Sequence, residues 1–391
     1  MKNGWVTKKL GEVCEDTIRR LKDIDDTRFL YIDISSIDRV HKTIIGTTEY
    51  GRLEAPGRAQ QVVEVGDVLV STVRPNLNAV AIVDAESRKR RIASTGFCVL
   101  RANEGVVPKF IYYFTHTDQF IAPLVAVSEK AAYPSVTDKI VKNVDIPIPP
   151  LSEQKRIVKK IDAAFEKIDA LKANAEKNLA NAKELFQSAL DEAMRPKKGW
   201  VEKRLGEVCS IVSPMVDPTL PKFIKHLHVG GANIVSETGE FVNLQTAKEE
   251  GLKSGKYTFD NTMVLYNKIR PYLKKIARPD FAGLCSADMY PLLPNSSIDR
   301  DFLYYLLLTN SFTAYAIGES ERAGMPKLNR EELFSYKANL PMKLSVQREI
   351  VKRLDFLSEK VKLLGHNYTQ QIADCAEMRQ AILREAFEGR L

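Results

Sequence analysis

Apolar and small residues recur at alternating steps of four and three through Ile157, Ile161, Ala164, Ile168, Leu171, Ala175, Asn178, Ala182, Leu185 and Ala189. The series returns 193 residues later as Ile350, Leu354, Leu357, Val361, Leu364, Tyr368, Gln371, Cys375, Met378 and Ile382. Both copies break with a polar residue at the same step, Asn178 or Gln371. A 3.5-residue period held over about five heptads is the pattern of a coiled-coil seam. Surface helices of globular domains average only about 11–12 residues. Two long helices that pack mainly on each other are therefore expected. Each would be roughly 65 Å long. The chain between them leaves one C-terminus and enters the other N-terminus, a span a compact domain of roughly 150 residues bridges comfortably only if the helices are antiparallel.

The rest of the chain is duplicated as well. Gly4-Trp5-Val6-Thr7-Lys8-Lys9-Leu10-Gly11-Glu12-Val13-Cys14 reappears as Gly199-Trp200-Val201-Glu202-Lys203-Arg204-Leu205-Gly206-Glu207-Val208-Cys209. The repeating unit is a globular domain followed by a long helix. The expected divisions are 1–150 and 196–342 for the domains, with 151–195 and 343–391 for the helices. Alternating, valine-rich stretches from Gln61 to Val73, Asn78 to Asp84 and Arg91 to Arg101 read as strands. Pro108 to Val127 and Asp301 to Ile317 read as amphipathic helices with an aromatic core stripe. Ser152 is placed to cap the first long helix. The fold class is α+β, with two similar mixed α/β domains separated by an antiparallel pair of long helices, in a pseudo-two-fold duplication. The stretches Ile18 to Gln60 and Val212 to Tyr257 diverge most, so two similar frames would read different ligands.

Chemistry narrows the function by exclusion. The net charge of +8 is a mild bias towards polyanions. The opening MKNGWVTKKLGEV lacks the apolar run of a secretory signal, and Phe302 to Leu308 is too short to span a bilayer. A cytoplasmic chain without membrane contact, its five cysteines reduced and buried, is expected. Gly251 to Tyr257 resembles a phosphate-binding loop, but its glycine spacing is one short and Tyr257 replaces the hydroxyl that holds magnesium. His226 and His228 form a close pair without further ligands at zinc-site spacing and read as outward imidazoles on a strand. No Gly-x-Gly-x-x-Gly is present. What recurs is a cation beside a rigid turn, Val73-Arg74-Pro75-Asn76-Leu77 and Ile269-Arg270-Pro271-Tyr272-Leu273-Lys274-Lys275. Arg and Asn pair with guanine and adenine edges, Lys suits phosphates, and the proline is expected to hold the arginine extended. A conformationally useful turn with a solvated Arg explains each copy equally well. Polar and basic residues also mark the links Lys130 to Ser135 and Arg322 to Asn329. The candidate DNA-binding residues are thus Arg74, Asn76, Lys130, Tyr133 and Ser135 in the first domain. Those in the second are Arg270, Tyr272, Lys274, Arg322, Lys327 and Asn329. No catalytic, cofactor or metal residues emerge.

Two diverged domains, with Pro149-Pro150-Leu151-Ser152-Glu153-Gln154-Lys155-Arg156-Ile157-Val158 after the first and a weaker copy at Leu344 to Val351, resemble the specificity subunit of type I restriction–modification systems. Gly324-Met325-Pro326-Lys327-Leu328-Asn329 and Ile382 to Leu391 are similar to that family too. The second copy departs from the motif at Lys343 and Val346. The resemblance implies two target-recognition domains, each reading half of an interrupted double-stranded DNA target, with the coiled coil as spacer. It also implies assembly with two methyltransferase (M) subunits and with restriction (R) subunits. S-adenosylmethionine, ATP and magnesium would then belong to those partners, and this chain would be non-catalytic. The competing readings are an architectural coiled-coil DNA-binding protein and a stand-alone restriction enzyme.

Overall fold

A computed structural model describes residues 4–84, 87–129, 134–211, 214–320 and 326–391. Two compact units divide the chain: Met1–Ala175 with Gln370–Leu391, and Glu176–Thr369. The long helices, Leu151–Ala193 and Leu344–Phe387, contribute to both.

In the first unit Val6–Lys9 pairs antiparallel with Asp145–Ile148, so the chain enters its long helix directly from a strand. Two larger sheets lie between these strands in sequence, beside a small pair of Ile37–Asp38 with Thr43–Ile44. One has the order Thr48–Gly51, Arg28–Ile32, Arg91–Ser94, Ala59–Val63; the other has the order Phe97–Leu100, Val68–Ser71, Val80–Ile82. Arg28–Ile32 and Arg91–Ser94 run parallel, and the other pairs are antiparallel. The expected strand Arg91 to Arg101 is therefore two strands of different sheets, joined by a turn at Thr95–Gly96. The expected helix Pro108 to Val127 is also two, Pro108–Phe114 and Asp118–Ser128. Thr115 and Thr117 donate their hydroxyls to the carbonyls of Tyr112 and Phe114, and Thr117 then caps the second helix at Phe120. Threonines that bond the local backbone in this way end helices. The aromatic stripe is core as expected, with Phe110, Tyr112, Tyr113, Phe114 and Phe120 all buried.

The second unit repeats the plan. Trp200–Arg204 pairs with Lys337–Pro341. A five-stranded sheet has the order Met215–Val216, Lys256–Phe259, Gly283–Cys285, Leu227–Val229, Gln245–Thr246. A four-stranded sheet has the order Cys209–Ser210, Met289–Pro294, Val264–Asn267, Ile276–Ala277. Leu227–Val229 and Gly283–Cys285 form the parallel pair of the five-stranded sheet. The helix expected from Asp301 to Ile317 is again split, into Arg300–Leu308 and Asn310–Ser320. His228 does not point outward. It is buried on its strand, with Nδ1 2.8 Å from Glu250 Oε2.

The long helices are antiparallel within each unit. In the first, Arg156 Nη2 donates to the Leu391 carbonyl at 2.7 Å, while further along Arg379 meets Asp169 and lies 4.3 Å from the Phe165 ring centroid. In the second, a Cβ built on Gly365 would lie 3.6 Å from Leu179, and Leu190 and Met194 share a core with Val351 and Leu354. The seam differs from expectation by one residue at every second step. Ile161, Ile168, Ala175 and Ala182 are buried, but Leu171 and Leu185 are 54% and 59% exposed. Lys172, Leu179 and Phe186 take the alternate positions, as Gly365, Ile372 and Arg379 do on the other helix in place of Leu364, Gln371 and Met378. The polar break at Asn178 and Gln371 disappears with this shift, because both residues are exposed. Ser152 lies inside the helix, which starts at Leu151.

Candidate nucleic-acid interface

Each unit turns its chain the same way after a buried central strand. Val68–Ser71 leads to Arg74 and a 3-10 turn over Pro75–Leu77; Val264–Asn267 leads to Arg270 and a 3-10 turn over Pro271–Leu273. Proline suits this place because the first residue of a helical turn needs no amide donor. The arginines are not extended, as the following proline led us to expect. Both are left-handed, Arg74 at φ 50° and ψ 66°, Arg270 at φ 51° and ψ 66°. That conformation costs a non-glycine residue about 1–2 kcal/mol. Tertiary hydrogen bonds hold it. The Arg74 amide donates to the Pro134 carbonyl and the Arg270 amide to the Pro326 carbonyl, each at 2.8 Å. Bridges Val73–Ser135 and Ile269–Lys327 complete the docking of each link onto its turn.

The structure therefore joins residues that the sequence placed far apart. Arg74, Asn76 and half-buried Ser135 come together in the first unit, and Arg270, Tyr272 and Lys327 in the second, with Arg74, Asn76, Arg270, Tyr272 and Lys327 exposed. Asn329 is exposed and opens the helix Arg330–Ser335, where its amide donates to Glu332 Oε2 at 2.7 Å. Lys130, Tyr133 and Arg322 lie outside the described residues. Lys274 is a correction. It is only 9% exposed, and its ammonium donates to Gln187 Oε1 and Asn310 Oδ1, each at 2.8 Å. Burial lowers its pKa. The left-handed turn that exposes Arg270 carries the side chain four residues on into the unit, where it braces the long helix instead of meeting solvent.

A third segment borders each turn, and sequence reasoning missed it. The Thr72 amide and hydroxyl donate to the Gly96 carbonyl at 2.9 and 3.0 Å, and the Thr95 amide donates to the Arg58 carbonyl at 2.9 Å. Exposed Arg58 is thus brought to the edge that carries Arg74. In the second unit the Lys268 amide donates to the Asp288 carbonyl at 3.1 Å, and its ammonium donates to the Ala287 carbonyl at 2.6 Å. Burial, then the positive charges of Lys327 and Arg330, lower the Lys268 pKa, with Asp288 opposing. Lys268, Lys327 and Arg330 therefore form one cationic neighbourhood around the turn. No spacing in the sequence announces it, because the residues come from separate segments. Guanidinium and ammonium groups on a braced backbone suit phosphates and base edges, since little conformational freedom is lost on contact.

Comparison with known proteins identifies the family. The family model for the type I restriction modification DNA specificity domain matches residues 2–181 and again 197–373. The chain belongs to that family. It is 27% identical over 317 residues to the type I restriction enzyme EcoDI specificity subunit of Escherichia coli, covering 72% of this chain and 70% of that protein. It is 23% identical over 323 residues to the StySPI specificity subunit of Salmonella potsdam, covering 75% and 68%. Among solved structures, a chain from work on complex assembly and conformational transition of the type I R-M system superposes with a TM-score of 0.85 at 30% identity, covering 100% and 99%. The HsdS subunit from Thermoanaerobacter tengcongensis gives 0.63 at 29% identity, covering 100% and 98%. The two matches fall on the two halves of the duplication, and each extends into a long helix. Among the described residues no helix is long and apolar enough to cross a membrane.

Proposed function

We propose that this chain is the DNA-recognition subunit of a cytoplasmic type I restriction–modification complex, in which each unit reads one half of an interrupted double-stranded target. The long helices set the gap between the halves and carry two methyltransferase subunits, and restriction subunits join that assembly. This chain supplies no catalysis. S-adenosylmethionine, ATP and magnesium are used by the partners. The observation that carries the reading is the pair of left-handed Arg-Pro turns, each docked on its link through the same amide at 2.8 Å, with exposed arginines and different surrounding side chains. A shared frame with changed contents is what two readers of two different half-sites require. The test exchanges residues 1–150 for the matching domain of a relative and maps the methylated motif in the host. One half of the motif should change and the other persist. A change in both halves, or in neither, rejects the assignment.

A further inference from the structure

The turn that follows the parallel strand of each larger sheet also has one frame and two contents. In the first unit Arg28–Ile32 ends at Asp33, whose amide donates to Ser36 Oγ at 3.2 Å across a 3-10 turn, Ile34–Ser36. In the second, Leu227–Val229 ends at Gly230, whose amide donates to Asn233 Oδ1 at 2.9 Å across Gly231–Asn233. The strand pairings match as well, with Ile32 opposite Ala93 and Val229 opposite Cys285. Gly230 makes this turn with no side chain. The turn therefore does not depend on the Asp33 carboxylate.

The same turn lies beside the residues that lead into the Arg-Pro turn in both units. A Cβ built on Gly96 would lie 2.7 Å from Ile34 Cδ1, and the Gly96 carbonyl is the one that accepts the Thr72 amide. A Cβ built on Gly231 would lie 2.8 Å from Asn267 Nδ2, three residues before Arg270. Asp33 thus sits at the C-terminal mouth of the parallel strands, beside the edge that carries Arg74 and Arg58. Half-buried Asp33 receives the Tyr31 hydroxyl at 3.4 Å and the Ser35 hydroxyl at 3.5 Å, both long bonds. Among the described residues no cation forms an ion pair with it.

A carboxylate is repelled by phosphates, so its place on a DNA-reading edge calls for a compensating donor. In the major groove the bases that offer donors are cytosine, through N4, and adenine, through N6. Adenine sets the N7 acceptor beside its donor, which opposes a carboxylate; cytosine does not. We propose that Asp33 selects an exocyclic amino group, that of cytosine, at one position of the half-site read by the first unit, and that the second unit, with Gly230, makes no such selection. This rests on the half-site reading above and names one of its contacts.

The test uses the full chain assembled with methyltransferase subunits, and DNA targets carrying each of the four bases at every position of both halves. Wild type should favour cytosine at one first-half position by roughly 5- to 150-fold. Asp33→Gly copies the second unit's turn and should lose that preference alone, with the other half read as before. Asp33→Asn should move the preference to adenine, whose N6 and N7 suit an amide. Undiminished cytosine preference in Asp33→Gly overturns the proposal. So does a wild-type chain that reads both halves without any cytosine position sensitive to Asp33, or a loss confined to the second half. A wild-type complex that shows no two-part selectivity at all rejects the half-site reading itself, a result distinct from the others.

Discussion

Gln154 and Gln347, 193 residues apart, make the same kinds of hydrogen bond from the first turns of the two long helices. Gln154 accepts the Val107 amide at 2.9 Å and donates to the carbonyls of Pro149 at 2.9 Å and Gly105 at 3.3 Å. Gln347 accepts the Asp299 amide at 2.7 Å and donates to the carbonyls of Pro341 at 2.9 Å and Ser297 at 3.0 Å. Both side chains are buried. This is the physical content of the Glu-Gln motif in the first copy, and it explains why the second keeps Gln347 while Val346 replaces the glutamate. Gln154→Leu orphans the Val107 amide and should cost about 1–3 kcal/mol. Urea unfolding should show a lower midpoint for Gln154→Leu and for Gln347→Leu, against an unchanged midpoint for the neighbouring exposed Lys155 changed to Ala.

The antiparallel seam is open to crosslinking. Leu179→Cys with Gly365→Cys should form an intrachain disulfide under mild oxidation, because the Gly365 position faces Leu179. Leu171→Cys, on the exposed side, should not couple to Gly365→Cys. The readout is mobility on a non-reducing gel, and equal coupling of both pairs would contradict the register.

Arg74→Ala and Arg270→Ala separate two kinds of contact. A bidentate base contact should cost about 1–3 kcal/mol and relax one target position. A phosphate contact should weaken all sequences alike and reduce the salt slope by about one. Binding measured over a salt series distinguishes them, and unchanged binding by both variants removes the turns from the interface.

His116 makes the first unit acid-sensitive. Burial, then the charges of Lys42 and Arg379, lower its pKa to about 3, and its Nε2 has no partner. The unfolded chain takes up the proton near pH 6.5 and the folded chain does not, so stability is full above that pH and is lost as pH falls towards about 3. The loss approaches about 1.4 kcal/mol per pH unit. His116→Leu, which installs the side chain present at the equivalent Leu308, should flatten this limb in melts taken between about pH 6.5 and pH 4.

The proposed ruler predicts a discrete response. A heptad inserted after Asn174 together with one after Asn367 keeps the seam phase and adds about 10 Å. The double insertion should shift the preferred gap by about one to three base pairs, at roughly 3.4 Å each. A folded double-insertion protein that keeps the original gap would remove the helices from that role.

Much of the architecture was legible because it is periodic or repeated. The duplication and the long helices follow from residue spacing, and the links were marked by their polar and basic residues, though not their docking. The seam was misread by one residue because Leu171 is more apolar than Lys172, yet Lys172 occupies the partly buried position. The two-part helices escaped notice because threonine hydroxyls, not a proline or glycine, divide them. In the interface, Arg74 and Arg270 could be singled out by their matched motifs. Asp33, Arg58 and Lys268 could not, since only strand pairing and backbone hydrogen bonds bring each to the turn of its own unit, and Lys274 looked solvent-facing until the turn geometry placed it inward.

The left-handed arginines have a practical consequence. Glycine at position 74 or 270 would relieve the backbone strain while deleting the guanidinium, so Arg74→Gly or Arg270→Gly can raise melting temperature as it removes a contact. A screen that rewards heat resistance alone would therefore tend to erase the residues proposed to read DNA. Stabilised versions of this protein should be selected on target discrimination and thermal tolerance together, with these two positions held fixed.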